Sequence, residues 1–173
     1  MRYGGGLFLC CVGVGLVLAV LTDINRANLY FSVAGILGTL GYFVTWRRAV
    51  ARCGRPRVYQ YLLIVAVIAL QVGVISVMLK APWFQSLPDY TGQLLVLAVV
   101  AVHFMLMYWA IGPWIVGLGV ADLVWLAAAA ILSPSVPVVI LGFGSLNILF
   151  GAIMAAPILW KASAPSVSNL RAG

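Results

Sequence analysis

The segment Thr91-GQLLVLAVVAVHFMLMYWAIGPWIVGLGVADLVWLAAAAI-Leu132 dictates the architecture of the chain. It holds two apolar runs joined at Ala110-Ile111-Gly112, and each run carries one ionisable side chain set deep within it, His103 and then Asp122. About 20 apolar residues at 1.5 Å per residue cross a hydrocarbon core of about 30 Å. The spacing predicts one span from Thr91 to Trp109 and another from Pro113 to Leu132. Pro113 falls in a first helical turn, where its missing N–H is no loss. His103 and Asp122 stand nearly equally far from the turn, so two straight antiparallel helices would hold them level near the bilayer centre. A charge at that depth costs at least ~2.5 kcal/mol, and such residues face a bundle interior or a water-filled cavity and find a partner. The two are therefore expected to face each other.

The rest of the composition agrees with a lipid environment. Of the 173 residues, 65% are hydrophobic and 8% charged, with mean hydropathy +1.15, far from the roughly 25% charged residues of soluble domains. The expected class is all-α, an integral membrane bundle of six transmembrane helices over residues 1–160, with a short cytoplasmic tail over 161–173. The net charge of +7 invites a nucleic-acid reading, but the positive residues flank apolar runs and no recognition module accompanies them. The lipid bilayer is the expected partner, and nucleic acid is not. Cys10 and Cys11 are adjacent within the first apolar run and Cys53 lies in an arginine-rich link, a pattern with neither metal spacing nor a disulfide framework. Arg2 ahead of an apolar run resembles a signal peptide, yet no small-x-small cleavage site precedes Asp23; a retained first span is expected.

Outward from the hairpin, the first span reads Gly4 to about Leu21 and the second Leu29 to Trp46. Gly35, Gly38 and Gly41 lie nearly on one face of the second, which suits close helix packing within the chain or between copies. Five arginines follow in eleven residues, Arg47, Arg48, Arg52, Arg55 and Arg57. By the positive-inside rule this link is cytoplasmic, and six spans then put both termini, with eight of the ten basic residues, on that side. The same arginines are candidates for contact with anionic lipid or a phosphate. The third span is Val58 to Leu79, with Gln71 and Ser76 as internal polar groups. Trp83, Tyr90, Trp109, Trp114 and Trp160 read as anchors at headgroup depth. Ser133-Pro134-Ser135-Val136-Pro137 links to a sixth span, Val138 to Trp160, in which Pro157 predicts a kink or an early end.

Asn147, about ten residues into the sixth span, is expected level with His103 and Asp122, and its amide offers both donor and acceptor to bridge them. Gln71 joins the set from the third span, and Trp125 and Met107 share faces with Asp122 and His103. His103, Asp122, Asn147, Gln71, Trp125 and Met107 are thus the candidate proton- or solute-binding residues. Three uses stand open: fastening the helices, a proton or solute pathway, and catalysis. Against catalysis, one histidine supplies neither bis-histidine haem nor a two-histidine zinc site, and no nucleophile stands beside it in sequence. No enzyme activity, cofactor or metal is expected.

Gly112-Pro-Trp-Ile-Val-Gly-Leu-Gly-Val-Ala-Asp122-Leu-Val-Trp, the break at Ser133-Pro134, and Gly144-Ser-Leu-Asn147-Ile-Leu-Phe-Gly151 resemble the last hairpin of the HdeD-like acid-resistance membrane proteins. Gly13-Val-Gly15 and Gly35-Ile-Leu-Gly38 echo the pattern, whereas the middle hairpin around His103 departs from it. The resemblance covers about half the chain and implies six helices built as three hairpins, with a stress-related role rather than an enzymatic one. The functional expectation is a small inner-membrane protein that binds or passes a proton or small solute. The alternative is a non-transporting scaffold or a subunit of a larger complex, including the substrate-binding component of a transporter, or a homo-oligomer.

Overall fold

The computed structural model describes residues 2–23, 29–30, 33–41, 43, 50, 55 and 57–160. Every regular element among them is helical. In chain order these are α1 (Arg2–Thr22), α2 (33–41), α3 (Val58–Lys80), α4 (Pro82–Gln85), α5 (Asp89–Leu106), α6 (Tyr108–Ile111), α7 (Pro113–Leu132) and α8 (Val136–Trp160). Five of them, α1, α3, α5, α7 and α8, are long and apolar enough to cross a membrane.

Glycine decides which helices meet. Gly6 and Gly13 on α1 are seven residues apart, as are Gly144 and Gly151 on α8, and the pairs interlock in opposite order. A Cβ on Gly6 would stand 2.7 Å from the Gly151 carbonyl oxygen, and one on Gly13 would stand 2.5 Å from that of Gly144. The two helices are therefore antiparallel and nearly touch backbone to backbone. A seven-residue repeat keeps the same face turned to a partner along a left-handed crossing, and in lipid such close packing, rather than water exclusion, holds helices together. The Cys10 thiol adds a donation to the Ile148 carbonyl at 3.6 Å. α2 returns along α1, with Gly15 against Ala34 and Gly38 against Phe8. Gly35 and Gly41 have nothing within 4 Å where a Cβ would stand, so among the described residues the close approach falls on Gly38.

The hairpin of α5 and α7 closes through Gly119, whose missing Cβ would stand 2.6 Å from both the Ala101 carbonyl and the Met105 side chain. Tyr90 Oη donates to the Ala129 carbonyl at 2.8 Å near the other end of the pair. The turn between them is less simple than a three-residue link. α5 stops at Leu106, the Met107 N–H is shared between the His103 and Phe104 carbonyls, and α6 makes one more turn before Gly112 at φ +110°. That conformation is open to glycine and strained for other residues. α7 meets α8 where the Trp125 indole lies on Gly142 and donates to the Val139 carbonyl at 3.0 Å, and where Phe150 covers Gly117.

α3 lies outermost. Val67 is its buried residue, and Gln60 Nε2 fastens its start to the Ala110 carbonyl at 3.3 Å. That bond places the beginning of α3 beside the α6 turn. Gly5 also meets Ile111, so α1 begins at the same end, and the chain must return there between Thr22 and Val58. Arg55, Arg57 and the α6 turn lie at this end, while Asp23, Lys80 and Asp89 lie at the other. The observed ends shift the expected ones by a few residues: α1 starts at Arg2, α5 at Asp89 and α8 at Val136. The link after α3 contains α4, whose Pro82 occupies the first turn. The arginine-link residues Arg47, Arg48 and Arg52, and the tail over 161–173, lie outside the described residues.

Candidate functional site: a cleft and a dry core on two sides of one helix

Among the described residues, His103, Asp122 and Asn147 are the buried polar side chains, at 6%, 0% and 0% exposure. The expectation that they form one centre fails on geometry. Ala101 and Met105 are the α5 residues that meet Gly119 of α7. His103 is two residues from each, and two residues turn a helix by about 200°. Its side chain therefore leaves α5 on the flank away from that contact. Neither Asp122 oxygen has a hydrogen-bond partner, nor has His103 Nδ1, so no bond joins the two. Their depths differ as well. Gly119, between Ala101 and Met105, sits at the level of His103, and Asp122 lies three residues farther from the turn, about 4.5 Å at 1.5 Å per residue.

His103 faces α3. The Val67 backbone comes within hydrogen-bonding reach of its ring, and the imidazole lines a cleft of about 350 Å³ between α3 and α5. Gln71 lines the same cleft, together with Val67, Val74, Val99 and Leu106, and Trp83 of α4 closes one end. The wall is almost wholly apolar. Because Val67 is level with His103, Gln71 stands one turn farther along α3, and the two polar groups straddle the middle of that 23-residue helix. The cleft opens outward between its two helices, since α3 rests on α5 along one narrow strip. The size falls at the lower end of the range for small-molecule pockets, which are apolar with a few placed polar groups.

Asp122 and Asn147 occupy the other flank, within the contact of α5, α7 and α8. Asp122 sits in the middle of the α7 stripe formed by Ile115, Leu118, Gly119, Leu126 and Ala129. The contacts of Trp125 with Gly142 and of Gly117 with Phe150 bring Asp122 and Asn147 within about two residues of the same level, roughly 3 Å by helical rise. Asn147 Nδ2 donates to the Phe143 carbonyl one turn back at 2.9 Å, so its amide does not bridge helices. The atoms left over, Asp122 Oδ1 and Oδ2 and Asn147 Oδ1, have no partner. On an ionised aspartate all three only accept.

The other candidates divide accordingly. Trp125 is committed to α8 by its bond to Val139, and Met107 is buried at the break between α5 and α6; neither lines the cleft. Arg55 and Arg57 are exposed at the α6 end. Among the described residues no group of three or more His, Cys, Asp or Glu side chains could hold a metal ion. Sequence reading missed the cleft as a unit, because its lining residues are apolar ones like those of any span; the one local signal was Gln71, a polar side chain in mid-span. No family model matches the chain, nor does any curated protein or solved structure.

Proposed function

We propose that the chain is a six-span integral membrane protein with both termini on the cytoplasmic side, and that its α3–α5 cleft binds a small solute held by His103 and Gln71. The sixth crossing is the return between Thr22 and Val58, for which α2 supplies antiparallel helix. Orientation follows from Arg55 and Arg57 at the α6 end, since basic links stay inside. The observation that carries the binding reading is the cleft itself: an apolar hollow with an imidazole and an amide set together at mid-depth, where polar side chains are costly and belong to sites or helix contacts. The HdeD-like resemblance adds acid stress as the setting.

Native mass spectrometry of the protein released from its membrane tests this. A bound small molecule is expected on the wild-type chain and absent from Val99→Trp, which fills the cleft while its circular dichroism stays helical. Identical, unladen spectra for both proteins overturn the reading. A second reading, a non-transporting subunit of a larger membrane complex, is favoured by the long exposed apolar flank of α3, from Val58 and Leu62 to Val72 and Val77. It expects stoichiometric copurification of another membrane protein, lost on substitution along that flank and indifferent to Val99→Trp.

A further inference from the structure

Resting on the cleft reading above, we infer that its ligand is an uncharged, lipid-dissolved molecule carrying a carbonyl, one that enters sideways from the bilayer between α3 and α5. Three features select this class. The first is depth. His103 and Gln71 straddle the middle of α3, and a phosphate or ammonium headgroup drawn to that level would meet the cost of a charge at the bilayer centre. An uncharged group does not. The second is the donor set. The Gln71 amide supplies N–H groups, and His103 supplies one ring N–H in its Nε2–H tautomer, since its Nδ1 is buried without a partner, whereas the remaining wall, including Val67, Val74, Val99 and Leu106, supplies carbon. A carbonyl oxygen placed between imidazole and amide accepts from both, while the rest of the molecule lies along the apolar wall toward Trp83. The third is access. The cleft opens between two helices, on the side that hydrocarbon occupies in a bilayer, so a ligand already dissolved in lipid reaches it without crossing water.

α3 is built to let such a molecule in. Its attachments among the described residues include the Gln60 bond to Ala110 at one end, the helix-to-link turn near Met78 and Ala81 at the other, and the packing of Leu63, Ile64 and Val67 between them. Gly73 has nothing within 4 Å of its missing Cβ, so no interlocked backbone pair pins the helix as Gly6 and Gly151 pin α1 to α8. Trp83 at the end of the cleft gives a built-in reporter.

The test uses decylubiquinone, a ring with carbonyls on a short alkyl chain, against decylbenzene, which has the same chain and no carbonyl. Quenching of tryptophan fluorescence is followed for purified full-length protein in lipid nanodiscs, with Trp83→Phe to isolate the cleft signal. Saturable quenching by decylubiquinone is expected, lost in Trp83→Phe and in Val99→Trp. His103→Leu and Gln71→Leu each weaken its binding by roughly tenfold, the scale of one hydrogen bond lost to a buried carbonyl. Decylbenzene, which does not itself quench tryptophan, is read by its displacement of decylubiquinone; its binding is weaker and unchanged by those two substitutions. Unsaturable quenching that is equal in all variants overturns the inference. So does equal binding of the two probes. If decylubiquinone fails while the native spectra still show a Val99-dependent molecule that is charged, the cleft reading survives and the ligand class assigned here does not.

Discussion

His103 and Asp122 lie on opposite flanks of the same helix contact: Gly119 of α7 is seated between Ala101 and Met105 of α5, and His103 points to α3 from behind it. Residues without a shared partner add their effects to within about 0.3–0.5 kcal/mol, whereas a bonded pair couples by 0.5–3 kcal/mol. A double-mutant cycle of His103→Ala and Asp122→Asn, read by unfolding in mixed micelles, is expected to show coupling below about 0.5 kcal/mol. A larger coupling means that the two side chains do meet.

The three acceptor oxygens of the dry core lead to a second prediction. A buried polar group left without a partner costs about 1–3 kcal/mol, and replacing it by an apolar group of similar shape removes that cost. Asp122→Leu is therefore expected to raise unfolding stability by about that amount. Asp122→Asn puts an NH2 donor where an ionised carboxylate only accepts and should also stabilise, by about 0.6–1.7 kcal/mol, the range of interhelical polar contacts in membranes. A drop in stability for both would show that Asp122 has a partner that the packing conceals.

How much of this was readable in the sequence follows from what each feature depends on. Apolar length fixes a span by itself, so α3, α5, α7 and α8 were placed to within two or three residues, and the Gly112 turn was placed by its Gly-Pro. Depth along a span was nearly legible for the same reason, because rise per residue is fixed. Facing was not. His103 and Asp122 stand nearly equally far from the turn in sequence, but the inserted turn of α6 and the seating of Gly119 shift the register by three residues. Whether a side chain points to α7 or to α3 depends on where small residues let backbones approach, and Gly119 was one glycine among 18. The pairing of α1 with α8 is likewise non-local. Gly6, Gly13, Gly144 and Gly151 carry it, but nothing in either segment alone names the other.

Those glycines give a third prediction. Gly13→Val would put side-chain atoms where the Gly144 carbonyl and the Ile148 side chain already stand, and overpacking of this kind costs about 1–3 kcal/mol. Gly73→Ala, in open space on α3, should instead gain about 0.5–1 kcal/mol, the ordinary advantage of Ala over Gly within a helix. Thermal unfolding in detergent compares the two. Equal effects would remove the α1–α8 contact from the list of what holds the bundle together.

Topology supplies the last. Arg55 and Lys80 sit at opposite ends of α3, the first beside the helix start at the α6 end and the second at its last residue. A 23-residue helix is about 34 Å long at 1.5 Å per residue, enough to span a hydrocarbon core of about 30 Å. In a chain with Cys10, Cys11 and Cys53 replaced by serine, Arg55→Cys and Lys80→Cys therefore place thiols on opposite sides of the membrane. A membrane-impermeant maleimide applied to whole cells is expected to label Lys80→Cys and to reach Arg55→Cys after the membrane is opened. A cysteine at position 2 should behave like the one at 55, because α1 and α3 begin at the same end. Labelling of both positions 55 and 80 from outside would mean that α3 lies along the membrane surface, and a label at 2 that follows position 80 instead would remove the return crossing between Thr22 and Val58.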